Sequence, residues 1–469
     1  MSEIEHVEAH GWRGAIERAL DGGELFGGAW AGLRGGHLSW NALLHSAHAL
    51  RVISCAPAAG AVETIVDLVE AAAWDEREAH DLYGLQFPGH APLRALVTHS
   101  EEAETWMTPV TGDGVHQIAV GPVHAGVIES GHFRFHAVGE RILALDLRLF
   151  YKHRGLERAS EGLAPERALA HAGRACAACS VTNSVAFVQA VEDAGGLQPN
   201  RELRIARTVA LELERLYNHT HDIGAICSGV GFAPGSMAFA ALKDRAQQLN
   251  LRAFGHRFLF GTVRLGRGGT VLDAASTDAL RRALRELHTD SAAAWRELEF
   301  TGSLQARLGG IGVLTGEDAR RLGAVGPAAR AAGIREDARS TSPRLAYGGF
   351  TAAGLTDASG DVGARLRLRA IELESSYELL DELLSKPLRP GATSSATPGT
   401  ALGLARVESP RGATMCAVEL DGGPVARMHL RTGSYANWPA LAHATAGNLL
   451  PDFPLINKSF ELCYACVDR

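Results

Sequence analysis

The sequence predicts a mixed α+β chain, in which a small N-terminal α+β domain over residues 1–110 precedes a helix-rich domain over residues 115–469. Three observations predict it. Short amphipathic helical stretches alternate with β-like runs through the first domain. Threonines, glycines and Pro109 around Thr108–Gly114 then interrupt the pattern as a linker does. Beyond it, apolar residues recur at the helical period over Pro199–Gly229, Ser236–Phe260, Ser276–Glu299 and Asp361–Ser385.

In chain order, His37–Ala42 and Ala61–Val69 read as β-like runs, and Trp74–Leu96 reads as a charged helix start followed by a Pro-Gly turn. From Gly121 a short unit containing HFRFHAVGERILALDLRL alternates apolar residues and reads as β structure. The long helices carry Glu-to-Arg spacings that suit solvated faces. Residues 386–402, rich in Pro, Ser, Thr and Gly, read as a loop. The segment GLARVESPRGATMCAVELDGGPVARMHLRTG reads as a β-hairpin with Asp421-Gly422-Gly423 as its turn.

The 469 residues are 46% hydrophobic and 21% charged, which is ordinary for a globular protein with a sizeable core. A net charge of −7 with scattered basic residues disfavours nucleic-acid binding. The N-terminal stretch lacks the pattern of a signal peptide, and no run of about 18 apolar residues appears. The expected location is therefore the cytoplasm. Seven cysteines in so long a chain suit a reducing compartment better than a disulfide framework.

Four of those cysteines form two Cys-x-x-Cys pairs far apart in sequence, Cys176/Cys179 and Cys463/Cys466. Only the fold can bring such pairs together, and four thiolates on two short turns can close one tetrahedral or bridged metal site. Cys176 and Cys179 lie just ahead of a helical run, where the helix N-terminus favours the thiolate. Asn183, one turn beyond Cys179, faces the same way and either orients a group there or satisfies backbone on a buried face. Glu157 in YKHRGLE, beside Arg154, reads by itself as a surface ion pair. In ESPRG, Pro410 fixes the backbone before Arg411, whose guanidinium is either held over a buried site or exposed on a turn. Ser434 and Asn437 in RTGSYANW read as turn residues with donors to offer. The final segment LLPDFPLINKSFELCYACVDR carries two thiols where chain ends commonly fray, so it is expected to be held in place.

These segments, in this order, resemble the large, catalytic subunit of nickel-iron hydrogenases, and more closely the complex-I-like, membrane-bound group of the formate hydrogenlyase type. WDEREAHDLYGLQF and GHAPLRAL resemble the 30-kDa subunit of respiratory complex I. GPVH, GHFRF, YKHRGLE, RTVALELERLYNHTHDIGAI, VGPAARAAGIREDAR and NWPAL with GNLLPDFPLINKSF resemble the 49-kDa subunit, and a fusion of both is typical of the hydrogenlyase-type subunit.

The resemblance implies a nickel-iron centre, reversible 2 H⁺ + 2 e⁻ to H₂, ligated by Cys176, Cys179, Cys463 and Cys466, with Cys179 and Cys466 bridging the metals. It implies carbon monoxide and cyanide on the iron, Arg411 above the metals, Ser434 as a cyanide donor, and room for a magnesium ion. Cys463 is the expected first proton acceptor with Arg411 assisting, and Glu157 and Glu129 are candidates for proton relay. No iron–sulfur cluster of its own is expected. The implied partners are an iron–sulfur small subunit, membrane subunits related to complex I and antiporters, and an electron-donor module such as formate dehydrogenase, with the chain peripheral on the cytoplasmic face of the membrane. Family precursors often carry a C-terminal extension that is removed after metal insertion; the sequence stops at Arg469, where such cleavage would leave it.

The sequence departs from the family pattern at Ala177, Asn183, Gly433-Ser434 and Glu461-Leu462, where glycine, histidine, Pro-Ser and Asp-Pro are usual. Ala177 is expected to add a methyl group to a crowded loop. Two alternatives stay open: a complex-I-like quinone- or redox-coupling subunit with a degenerate metal site, and a zinc-bound or metal-free scaffold.

Overall fold

A computed structural model describes residues 3–46, 49–99, 106–124, 129–267, 271–342, 344–351, 358–394 and 401–469. Near the N-terminus, β1 (Glu3–Val7), β2 (Leu25–Arg34), β3 (His37–His45) and β4 (Leu50–Cys55) form one sheet in the order β1-β4-β3-β2. Only β1 and β4 run parallel. Helix α1 (Trp12–Asp21) buries Trp12, Ala15, Ile16 and Ala19 at helical spacing and packs on β4. Helix α2 (Ala73–Tyr83) packs on β2 and ends at Gly84, whose φ of 72° closes the helix.

Ala61–Val69 is not a strand. Its backbone instead meets single partners: Val62 N–H bonds Gln86, Thr64 N–H bonds Pro88, and Ile65 N–H donates to the buried Glu76 carboxylate at 2.9 Å. A run of apolar residues is thus anchored irregularly by the Trp74–Leu96 segment rather than paired in the sheet.

Strands β5 (Val115–Val120), β6 (His132–Val138) and β7 (Arg141–Arg148) make a second antiparallel sheet. The helical part follows. It comprises α3 (Leu156–Ala159), α4 (Pro165–Arg174), α5 (Ser180–Ala194), α6 (Arg201–Gly229), α7 (Ala233–Phe254) and α8 (Ala274–Glu299). Three short helices, α9 (Gly302–Leu308), α10 (Gly316–Arg321) and α11 (Gly326–Ala331), lead to α12 (Val362–Leu383). The four long helices read from periodicity are therefore present as α6, α7, α8 and α12. Asn200, Asp273 and Asp361 cap α6, α8 and α12 by accepting a backbone N–H. Helix α7 stops at Phe254, short of the expected Phe260, because Gly255 turns left-handed at φ 80°.

The expected hairpin near the end is a three-stranded antiparallel sheet, β8 (Ala401–Ser409), β9 (Gly412–Leu420) and β10 (Val425–Arg431), with Asp421–Gly423 in its second turn. The loop expected over 386–402 lies in part outside the described residues. Helices α13 (Gly433–Thr445), α14 (Phe453–Phe460) and α15 (Ala465–Asp468) complete the chain. Ser434 and Asn437 lie in α13 and are buried, not in a turn. Thr432 caps that helix by accepting from Tyr435 N–H, so the segment that reads as a turn begins a helix.

All 15 residues of α5 are buried, polar ones included. The helix packs against β8, β9, α4 and α6, so it runs through the middle of the domain. Its N-terminal end carries the first cysteine pair. Among the described residues, no helix is long and apolar enough to cross a membrane.

Candidate metal centre

The two cysteine pairs meet. The Sγ atoms of Cys176, Cys179, Cys463 and Cys466 all lie within 4.8 Å of one another. Cys179 precedes α5, Cys463 lies between α14 and α15, and Cys466 sits in α15, so one pair is presented by a helix N-terminus and the other by a turn and the short helix after it. Cys176, Cys179 and Cys466 are buried, while Cys463 keeps partial exposure.

Arg154 ties the two loops together. Its Nη2 donates to the carbonyl of Ala175 at 2.8 Å and of Ala465 at 3.4 Å, each the residue before a cysteine. Ser434 Oγ accepts the Cys463 N–H at 3.0 Å, and Thr432 Oγ1 donates to the Cys466 carbonyl at 3.1 Å. Tyr217 and Asn218 hold the other loop by donating to the Ala178 carbonyl at 3.3 and 2.8 Å. Glu214 accepts the Val181 and Thr182 N–H groups at the start of α5, at 2.6 and 3.1 Å. Burial pushes the Glu214 carboxyl up to about 7, although the N–H groups and Thr182 oppose the rise.

Arg411 comes from the β8–β9 turn. It is buried, and its guanidinium feels the charges of Cys463 and Cys179. The turn is rigid by construction. Ser409 Oγ accepts from Arg411 N–H, Asn437 Nδ2 donates to the Arg411 carbonyl at 2.9 Å, and Gly412 adopts φ 117° with its Cα against Gly326. A Cβ on Gly412 would come within 2.5 Å of Val325 Cγ2, so the close approach requires glycine. Asp222 receives both Arg411 terminal nitrogens, at 2.5 and 2.9 Å. Burial opposes the arginine's charge, but Asp222 outweighs it and holds the guanidinium above its ordinary value.

The thiols divide the charge unequally. Hydrogen bonds from the other three sulfhydryls pull Cys463 well below its usual value, with Arg411 assisting, while Cys179 and Cys466 are pushed up. A dry pocket tolerates one thiolate beside Arg411 but not four. Complete ionisation needs a metal cation among the sulfurs. Soft thiolates in this number suit nickel, low-spin iron or zinc.

Asn183 is fully buried, and neither its Nδ2 nor its Oδ1 has a partner. Native proteins seldom leave such a group unmet. Its place one turn beyond Cys179 makes a group bound at the sulfurs the natural partner, so the residues fit an occupied centre. Ala177 is exposed, contrary to the crowded setting expected for it.

Glu157 is not on the surface. Its Oε1 accepts from Leu430 N–H at 2.8 Å and lies 3.1 Å from Arg469 Nε. Glu129 is half-buried, has an unpartnered Oε2, and sits close enough to Asp468 to help raise that carboxyl. Sequence reasoning missed Asp222 and the anchoring role of Arg154. One signal for Asp222 was available: Glu214, Asn218 and Asp222 recur at intervals of four along α6, and the structure buries this stripe, with Arg207, Glu212 and Arg215, where the charge spacing suggested solvated faces.

Residues 230–402 and 391–469 match the family described as the respiratory-chain NADH dehydrogenase 49 Kd subunit, and residues 27–113 match the 30 Kd subunit. Formate hydrogenlyase subunit 5 of Escherichia coli is 30% identical over 439 residues, covering 87% of this chain and 76% of its own length. The chain belongs to the complex-I-like family of fused 30-kDa and 49-kDa subunits that includes membrane-bound hydrogenase large subunits. The carbon monoxide-induced hydrogenase of Rhodospirillum rubrum is 27% identical, over 76% of this chain and 99% of its own. The fold is shared with a chain of an archaeal membrane-bound sulfane sulfur reductase complex, at a TM-score of 0.70 and 23% identity, covering 77% of this chain and all of that one. Family membership makes this chain an oxidoreductase subunit related to those of membrane-bound complexes.

Proposed function

We propose that this chain is the catalytic large subunit of a membrane-associated hydrogenase, interconverting 2 H⁺ + 2 e⁻ and H₂ at a nickel-iron centre held by Cys176, Cys179, Cys463 and Cys466. One observation carries the reading: four sulfurs within 4.8 Å of one another, near a buried arginine, in a family that contains hydrogenases. When bound, the centre supplies two-electron chemistry and heterolytic cleavage of hydrogen.

The chain's own residues supply the rest. Cys463, whose sulfur keeps partial exposure, takes the proton at Sγ. Arg411 keeps a fixed positive charge near enough to act on that sulfur, because Asp222 holds its guanidinium in place. Ser434 fixes the Cys463 backbone and presents a hydroxyl toward the same turn. Asn183 offers an amide N–H and a carbonyl with no competing partner. Glu129, beside Asp468, is the carboxylate available to carry the proton onward.

Electrons require a partner with its own redox centres, which the iron–sulfur small subunit of the family reading supplies. Attachment to a membrane runs through other subunits, since no described helix spans one. Hydrogen-dependent reduction of a viologen dye by the purified complex tests the activity. The rate is expected to vanish in Cys466→Ser, and a rate indifferent to that substitution contradicts the proposal. A zinc-bound scaffold is favoured by one feature, since four sulfurs so close also suit a tetrahedral zinc ion; zinc without nickel in protein from the native host would support it.

A further inference from the structure

Glu78, Glu157 and His429 form a second cluster, with ligand atoms all within 4.8 Å of one another and all three residues buried. Carboxylate oxygens and an imidazole nitrogen are the donors that magnesium or manganese accepts. On donor chemistry this is the place for the magnesium ion that the resemblance implies. The space, however, is filled by Arg469.

Arg469 is 2% exposed and lies across the cluster. Its Nη2 donates to Glu78 Oε1, its Nε lies 3.1 Å from Glu157 Oε1, and its Nη1 donates to the Leu430 carbonyl. The guanidinium carbon is 4.9 Å from the centre of the Tyr435 ring, which adds a cation–π contact. A divalent cation held by the same oxygens would lie about 2.0–2.6 Å from each, inside the volume the guanidinium occupies. Two buried carboxylates need a positive charge between them, and a planar fork of five N–H donors serves both and a carbonyl at once.

We propose that the Arg469 guanidinium takes the place of a divalent cation between Glu78, Glu157 and His429, and is the positioning residue that locks the Cys463–Cys466 turn onto the N-terminal part of the chain. The connection is short. Glu78 lies on α2, Glu157 on α3 and His429 on β10, while Arg469 follows Cys466 by three residues through the single turn of α15. Freeing the guanidinium therefore frees the segment that presents Cys466. The magnesium expectation is thereby replaced: this chain carries its own cation there. The inference holds whichever metal the four cysteines take.

Manganese binding to the purified full chain, stripped with chelator and read by electron paramagnetic resonance, tests it. The unaltered chain is expected to bind no Mn²⁺ that Glu157→Gln removes. Arg469→Ala is expected to gain one Mn²⁺ per chain, to lose it again in Arg469→Ala with Glu157→Gln, and to show a melting midpoint raised by Mn²⁺. One Mn²⁺ on the unaltered chain, abolished by Glu157→Gln, overturns the proposal, as does a folded Arg469→Ala that gains none. Should that variant fail to fold, Arg469→Lys and the unaltered chain still decide. A single ammonium cannot span both carboxylates, so Arg469→Lys is expected to melt lower and to expose Cys463 to maleimide faster, whereas no change in either contradicts the positioning role.

Discussion

Arg411 and Asp222 form a buried bidentate ion pair, at 2.5 and 2.9 Å, across 189 residues of sequence. The pair aims a fixed positive charge at the cysteine cluster from a turn that Asn437 and Gly412 hold rigid. Removing one partner of such a pair leaves an uncompensated buried charge, which costs about 3–5 kcal/mol. Asp222→Asn is thus expected to lower the stability of the chain by that order in denaturant melts, and to cut hydrogen-dependent dye reduction further than the loss of folded protein explains. A variant of unchanged stability would show that the buried charges of Arg411 and of Arg369, which lies 3.0 Å from Asp222, are compensated elsewhere.

Arg154 predicts a different signature, because it touches backbone rather than sulfur. Its bonds to the Ala175 and Ala465 carbonyls hold the two cysteine loops together. Arg154→Met keeps the apolar stem and removes both bonds, each worth about 1 kcal/mol or somewhat more for a charged donor. The variant is expected to be less stable by about 2 kcal/mol and to label faster at Cys176 and Cys463 with maleimide. Equal labelling would mean that the loops are held without it.

Asn183 separates the empty from the occupied centre. With both polar atoms buried and unpartnered, it costs the metal-free chain about 1–3 kcal/mol. Asn183→Leu is expected to make the metal-free chain as stable or more stable, while lowering the metal retained at the four cysteines. A loss of stability in the metal-free form would assign Asn183 a structural partner instead.

Glu157 predicts the acid limb of stability. Burial alone would raise its carboxyl, but Arg469 outweighs burial and holds it down at about 2, against 4.5 for an unperturbed glutamate. The folded value lies below the unfolded one, so its contribution is full above pH 4.5 and is lost as pH falls toward 2. Glu157→Gln is expected to be less stable at neutral pH by about 3 kcal/mol. Its stability is also expected to fall less steeply over that window; parallel slopes would show that the pair with Arg469 does not govern acid unfolding.

The residues that could be read in advance are those whose chemistry is unusual wherever it occurs. Four cysteines in two Cys-x-x-Cys pairs imply a shared site before any fold is known, and the long helices follow from periodicity because their apolar faces are continuous. What escaped the sequence depends on distant partners. Glu157 beside Arg154 looks like a surface pair, yet each reaches a different buried partner, Arg469 and the cysteine loops. Ala61–Val69 has strand composition but bonds to the Trp74–Leu96 segment, and Ser434 looks like a turn residue because the helix it begins is capped from Thr432. Asp222 carried a signal in the four-residue polar stripe of α6, though nothing local pointed to Arg411.

The most direct measurement is the metal content of the purified complex, taken together with its infrared spectrum between the amide and C–H bands. A centre held by Cys176, Cys179, Cys463 and Cys466 predicts about one nickel and one iron per chain, with bands from bound cyanide and carbon monoxide, all lost in Cys179→Ser. Nickel far below one equivalent with no such bands, or zinc in its stead, would contradict it.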